Sequence, residues 1–282
     1  MDECSLIACV GLIGVRSRAR DLITMKKSIL AFVAVTPLIA HPALAADMPL
    51  KAPPPAAAMT WAGWYLGLNA GGVWADERVS WTAPVGTPGI GGFNPDGAND
   101  IITSSPGHVR TTGFTGGGQA GYNFQSGSLV AGIEADVQYT GVDGTRSLLS
   151  TIFANPYTQS VSSDWLATLR GRLGFAAGSL LVYGTGGLAV AELKYSDNFN
   201  GLHGVGLINS SVDYTPRTGW VAGAGAEWKF APRWSAKAEY LFVDLGSQTD
   251  IASIATGPAT ITHMHSFTEN IARIGVNYHA EP

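Results

Sequence analysis

From Asp164 to Lys194 the chain alternates with a period of two. Trp165, Ala167, Leu169, Gly171, Leu173 and Phe175 hold one parity, and Thr168, Arg170 and Arg172 hold the other. That period marks a strand with two unlike faces. On a helix, Arg170 and Arg172 would stand about 200° apart and spoil any amphipathic stripe. Ala176-Ala177-Gly178-Ser179 reads as a tight turn. The return strand sets Leu181, Tyr183, Thr185, Gly187, Ala189, Ala191 and Leu193 on one parity and Glu192 and Lys194 on the other.

The same alternation predicts six further strands. The first spans 63–74, with Trp64, Leu66, Leu68, Ala70 and Trp74 on one face. The second spans about 111–124. The third, 129–140, opposes Leu129, Ala131, Ile133, Ala135, Val137 and Tyr139 to Glu134, Asp136 and Gln138. The sixth spans about 217–230, the seventh 234–245 and the eighth 265–278. Short turns at 125–127, 176–179 and 231–233 alternate with long predicted loops at 75–109, 141–163, 196–212 and 246–263.

The strand lengths discriminate between architectures. Strands of soluble proteins usually run about 5–6 residues, whereas a tilted membrane crossing needs about 9–11. Short turns on one side and long loops on the other are characteristic of outer-membrane barrels. An open sheet in lipid is excluded, because its edges leave backbone groups unpaired. Aromatic residues gather near the short turns (Tyr122, Phe124, Phe175, Trp228, Phe230, Trp234 and Tyr278), where an interfacial girdle belongs. The expected fold is therefore all-β, an eight-stranded antiparallel up-and-down transmembrane β-barrel with short periplasmic turns and long extracellular loops.

Composition agrees. Charged residues are 13% of the chain, against about 25% in typical soluble domains. Gly contributes 36 of 282 residues. The net charge of −4 argues against a nucleic-acid partner.

The N-terminal part reads as a processing segment. Met25-Lys26-Lys27 is a basic start, 29–40 is apolar, and Ala43-Leu44-Ala45 is an A-x-A cleavage site. The apolar run is too short for a membrane helix. Residues 1–24 are read as a gene-model extension, 25–45 as a signal peptide, 46–60 as a Pro/Ala-rich periplasmic linker and 61–282 as the barrel. Removing 1–45, with five basic and three acidic residues, takes the net charge from −4 to −6. It also removes Cys4 and Cys9, leaving no cysteine for a disulfide or a metal site.

Three stretches carry a family resemblance. They are Trp165-Leu166-Ala167-Thr168-Leu169-Arg170-Gly171-Arg172-Leu173-Gly174 with Val182-Tyr183-Gly184-Thr185-Gly186-Gly187-Leu188-Ala189, the segment Ala45-Ala46-Asp47-Met48-Pro49 through Trp61-Ala62-Gly63-Trp64-Tyr65-Leu66-Gly67, and Ala238-Glu239-Tyr240-Leu241-Phe242-Val243-Asp244-Leu245-Gly246. Together they resemble the small outer-membrane β-barrel surface proteins of Gram-negative bacteria, the "porin family" or OmpA-like barrels. The resemblance covers essentially the whole mature chain. It implies an abundant structural surface protein, with haem binding or porin activity in some members. It also implies outer-membrane lipids, lipopolysaccharide and the barrel assembly machinery as partners, and a host or environmental ligand at the loops. Family members usually end on an aromatic residue at the last strand; here Tyr278 is followed by four more residues.

Ten charges are expected to point inward: Glu134, Asp136, Arg170, Arg172, Glu227, Lys229, Lys237, Glu239, Glu269 and Arg273. Eight strands make a lumen only wide enough for side chains, and charges in such a lumen must be paired. With five acids and five bases, a basic neighbour is expected for every acid. The expected outcome is a structural salt-bridge network that plugs the barrel, with a narrow polar conduit as the alternative. No catalytic residue, metal or cofactor is assigned.

The histidines are His41, His108, His203, His263, His265 and His279. His41 falls in the signal peptide; His108, His203 and His263 fall in predicted loops, with His265 at a loop edge. Exposed loop histidines without a ligand are expected, although His263 and His265 share one strand face and offer two ligands for haem or a metal. An enzyme of the lipid-deacylating type would need a Ser/His pair on the outer wall. His265 and Ser266 are adjacent, so they point to opposite faces. Gly116-Gly117-Gly118 and Gly184-x-Gly186-Gly187 are followed by no helix and are read as strand glycines that relieve crowding.

Three functions fit this pattern. A structural surface barrel that contributes to envelope integrity and surface contacts stands first. A narrow porin or a haem- or small-ligand-binding protein is the alternative, and a lipid-modifying enzyme is the remote one.

Overall fold

The computed structural model describes residues 59–87, 91–105, 107–150, 154, 156–199, 208–253 and 258–280. The expected signal peptide, the expected extension before it, most of the expected linker, His41, His203 and both cysteines lie outside the described residues. Eight antiparallel strands follow one another: β1 (Gly63–Thr82), β2 (Gly107–Ser126), β3 (Leu129–Leu149), β4 (Pro156–Ala177), β5 (Leu180–Phe199), β6 (Ile208–Ala231), β7 (Trp234–Ser253) and β8 (Thr260–His279). They pair in chain order and close into a barrel. The seam is the β1–β8 ladder, in which Leu66 faces Tyr278 and Trp81 faces His263.

The strands are much longer than expected, at 20 to 24 residues. Parity explains why the predicted loops are largely strand. On β1 the outward residues run Trp64, Leu66, Leu68, Ala70, Gly72 and Trp74, then continue as Asp76, Arg78 and Ser80. The inward residues change the other way, from Tyr65 and Asn69 to Val73, Ala75, Val79 and Trp81. Each strand leaves the membrane and goes on into water. Its parity persists, but the polarity of the two faces is exchanged, because the outer wall now meets solvent and the interior becomes an ordinary apolar core. A search for apolar-outward strands ends where that exchange begins. At about 3.3 Å per residue and a tilt of about 40°, a 20-residue strand climbs about 50 Å. The apolar belt of such barrels is only about 25 Å tall.

That belt has an aromatic girdle at each rim. Near the short turns Trp64 packs on Tyr122 at 5.1 Å between ring centroids, and Trp234 on Tyr278 at 5.2 Å. The upper girdle, unforeseen in the sequence, comprises the exposed rings of Trp74, Phe114, Tyr139 and Trp220, with Trp165, whose Nε1 donates to Glu192 Oε2 at 2.8 Å. Leu169, Ile133 and Ala224 lie on the outer wall between the two rims.

One strand departs from the two-faced expectation. Both faces of β5 are apolar: Leu181, Tyr183, Ala189, Ala191 and Leu193 are buried inward, while Val182 and Leu188 are exposed outward. Its charges Glu192 and Lys194 lie on the outer parity, above the belt.

A nine-residue helix, α1 (Pro95–Thr103), occupies the predicted first loop. Asn94 caps it, accepting from the Gly97 amide at 2.7 Å, and Pro95 sits in the first turn, where its missing N–H costs nothing. Its Ala98 and Ile101 are buried with Val79, Trp81, Tyr157 and Ile261, and the Tyr157 hydroxyl donates to the Ser104 carbonyl. The helix thus covers the outer mouth.

Candidate functional site

The lumen has three layers. The lowest, within the belt, holds four acids and four bases from β3, β4, β6, β7 and β8. Arg170 is the hub. Its guanidinium donates to Glu134, to Asp136 Oδ2 at 2.8 Å and to Glu239 Oε1 at 3.1 Å. Arg273 reaches Glu239 Oε2 at 2.6 Å and Asp136 Oδ1 at 3.2 Å. Arg172 donates to Glu227 Oε2 at 2.9 Å, and Lys237 to Glu134 Oε1 at 3.2 Å. All eight side chains are almost fully buried.

Neutral groups complete the layer. Tyr65 donates to Glu134 Oε2 at 2.8 Å, and Tyr183 to Glu239 Oε1 at 3.0 Å. The Arg172 guanidinium lies 4.1 Å from the centre of the Tyr183 ring. Thr168 donates to Asp136 Oδ2 at 2.6 Å. Inward glycines give these side chains room. A Cβ at Gly121 would stand 2.3 Å from the Tyr65 hydroxyl, and one at Gly117 would stand 2.2 Å from the Val137 carbonyl oxygen. Below, Glu227 accepts from Asn277 at 2.7 Å and lies 3.3 Å from His279 Nε2.

Two of the ten predicted charges take other positions. Lys229 donates to the Thr60 carbonyl at 2.5 Å and lies 4.9 Å from the centre of the Trp61 ring. Glu269 stands outside the network. It is fully buried, and among the described residues neither of its carboxylate oxygens has a hydrogen-bond partner. The expectation of a basic neighbour for every acid fails there, because Glu269 sits one layer higher. It lies opposite Ala75 and Val243, between Ile271 and Phe267 on its own strand face.

Apart from Glu269 and the buried Arg217, which lies opposite Ala191, that middle layer is mainly apolar. Val73, Val142, Leu166, Leu193, Val221 and Leu241 belong to one continuous buried cluster that crosses the bore.

The third layer lies above the belt. His263 and His265 are buried strand residues of β8, not exposed loop residues as expected. His108 lies on β2, with its Nδ1 2.7 Å from Asp76 Oδ1. His263 Nδ1 is 2.8 Å from Asp197 Oδ2, and His265 Nε2 is 3.6 Å from the same oxygen. On its other side His265 Nδ1 meets Glu77 Oε1 at 2.8 Å. Burial opposes a charge on His265, but its hydrogen bond with Glu77 and the charge of Asp197 outweigh burial and hold its pKa above the ordinary imidazole value. Burial pushes the Glu77 carboxyl up, against the pull of His265. Trp81 stacks on His263 at 5.2 Å, and Tyr195 lies against His265 at 4.7 Å. One ligand atom each from Asp197, His263 and His265 lies within 4.8 Å of the others.

Sequence reasoning missed Glu77 and Asp197, since both fell in predicted loops. The parity that continues from Trp74 to Trp81 places Glu77 inward and would have found it. It also missed His279 and the inward tyrosines. His265 and Ser266 do point apart: Ser266 Oγ meets Ser247 Oγ at 2.7 Å on the outer wall, while His265 is buried.

Residues 43–279 match the outer membrane protein beta-barrel domain. The 31 kDa outer-membrane immunogenic protein of Brucella melitensis is 32% identical over 261 residues, which are 90% of this chain and 99% of that protein. The 22 kDa outer membrane protein of Rhizobium leguminosarum is 29% identical over 189 residues, 66% of this chain and 75% of that one. Among solved structures, Neisserial surface protein A aligns over 78% of this chain and 98% of its own, with 13% identity and a TM-score of 0.36. The family match over 43–279 and the Brucella melitensis relative show that the chain belongs to the outer membrane protein β-barrel domain family and resides in the bacterial outer membrane.

Proposed function

We propose that this protein is a structural surface barrel that contributes to envelope integrity and presents its outer half to the exterior. The observation that carries the reading is the filled bore. The Arg170-centred ion network, the apolar layer above it and the α1 cap follow one another along the axis. A conduit needs a continuous wet path, and an apolar layer of Leu166, Leu193 and Leu241 interrupts it. A Ser/His enzyme needs both groups on one side of the wall, and His265 and Ser266 are on opposite sides. Haem ligation by His263 and His265 meets the same cap and the same packed surroundings. The name of the Brucella relative, an immunogenic outer-membrane protein, supports surface exposure of the outer half.

On this reading the belt sits in lipid and lipopolysaccharide, the assembly machinery inserts the barrel, and contacts with host or environment fall to the outer half. A leader cleaved at the Ala43-Leu44-Ala45 site belongs to the same reading. N-terminal sequencing of protein from outer membranes should return Ala46 or Asp47, and a mature chain that retains Cys4 or Cys9 would refute the cleavage.

The proposal is tested in cells. A strain lacking the protein should admit a large hydrophobic dye faster, and the wild-type gene should reverse this. Slower uptake of small hydrophilic solutes on deletion, with unchanged dye entry, would favour a porin instead.

A further inference from the structure

We propose that Asp197, His263 and His265 bind one divalent transition-metal ion of the Zn(II) class, which ties β5 to β8 across the outer mouth of the barrel. This goes beyond the structural reading above and does not depend on it.

The donor set is chemically apt. Two neutral imidazoles and one carboxylate are a common Zn(II) set, and a cysteine-free site of this kind disfavours soft Cu(I). The spacing fits as well. Two atoms each about 2.0 Å from a tetrahedral ion stand about 3.3 Å apart. Here Asp197 Oδ2 lies 2.8 Å from His263 Nδ1 and 3.6 Å from His265 Nε2. Small side-chain rotations suffice to admit the ion, which displaces to solvent the protons held at the ligating nitrogens.

The surroundings supply what a zinc histidine needs. Glu77 engages the far nitrogen of His265 at 2.8 Å. Such a carboxylate fixes the tautomer and raises the basicity of the ligand. Trp81 and Tyr195 pack on the two rings and hold them in place.

A second observation points independently to a ligand. Gln159 lies directly across the β4–β5 ladder from Asp197. It is fully buried, and among the described residues neither its Oε1 nor its Nε2 has a hydrogen-bond partner. Asp197 Oδ1 and Glu77 Oε2 are also without one among the described residues. Buried polar atoms are nearly always satisfied, and a hydrogen-bonded His/Asp/Glu cluster alone leaves these unanswered. An ion at the centre engages Asp197 directly and leaves its fourth position to Gln159 or to water.

The consequence is mechanical. β5 and β8 are not neighbours in the ring; β6 and β7 separate them. An ion held by both braces the part of the barrel that has no lipid around it.

The test uses protein purified from outer membranes, unfolded in urea with a chelator and refolded in detergent with or without zinc chloride. The wild type should retain one zinc per chain after desalting and should keep its unboiled gel mobility to a higher temperature than the zinc-free form. Asp197→Asn preserves shape and hydrogen bonding but is a poorer ligand, and should lower zinc affinity at least tenfold. Glu77→Gln should lower it about 10–100-fold. His108→Ala, on β2, should leave it unchanged. If His263→Ala fails to refold, the Asp197→Asn titration and the tetrahedral cobalt(II) spectrum of the wild type still decide. Wild-type protein that holds no stoichiometric zinc, or Asp197→Asn that binds as tightly as wild type, would overturn the site.

Discussion

The lumen residues divide by what replaces them when one is removed. Arg170 touches three carboxylates from two other strands, Glu134 and Asp136 of β3 and Glu239 of β7. Taking ions out of water is expensive, and the network offsets that cost only while its members stay matched. Truncating the hub leaves buried carboxylates without a counter-charge. Arg170→Ala should therefore destabilise the barrel by about 3–5 kcal/mol. Arg110→Ala removes an exposed arginine whose Nε meets Asp76 at 3.1 Å, and such surface pairs are worth about 0–1 kcal/mol. Urea unfolding of the two variants in detergent checks the ordering; equal losses would contradict the network's role. The inward charges were legible because polar residues stand out among Ala, Leu and Gly. The isolation of Glu269 was not, since parity fixes a residue's face and says nothing of its height in the bore.

Among the elements, the strands were legible only where lipid made them so. Between Trp64 and Trp74 the outer face is apolar and the pattern is plain. Above Trp74, Asp76, Arg78 and Ser80 face water, and a reader expecting apolar residues outside sees a loop. The same exchange hid the upper halves of β3, β4, β5 and β7 and the start of β8, and with the last the inward placement of His263 and His265. Helix α1 went unread amid Gly, Pro and Asn, although Asn94-Pro95 is a start signal and Ala98 and Ile101 share one helix face. The belt itself makes a quantitative claim. Leu169 is 58% exposed on the wall between the two girdles. Leu169→Arg should cost about 2–4 kcal/mol there, against about 0–1 for Thr112→Arg at the upper rim, opposite Trp74. Refolding into bilayers of defined thickness and measuring unfolding in denaturant tests the depth dependence; equal costs would misplace the belt.

The whole molecule is a closed ring with its axis filled. Closure removes strand edges, so the folded monomer should resist SDS until heated. Filling follows from geometry, since eight strands enclose only side chains. The ion network occupies the membrane half, and the Leu166–Leu241 layer and α1 close the outer half. An account in which the bore is packed and the function is structural stands or falls on ion flow. Single-channel recording of the SDS-resistant, unboiled monomer in a planar bilayer should give no stable open state at moderate voltage. Large, steady, ohmic currents from the wild-type monomer would contradict the account and make the protein a porin.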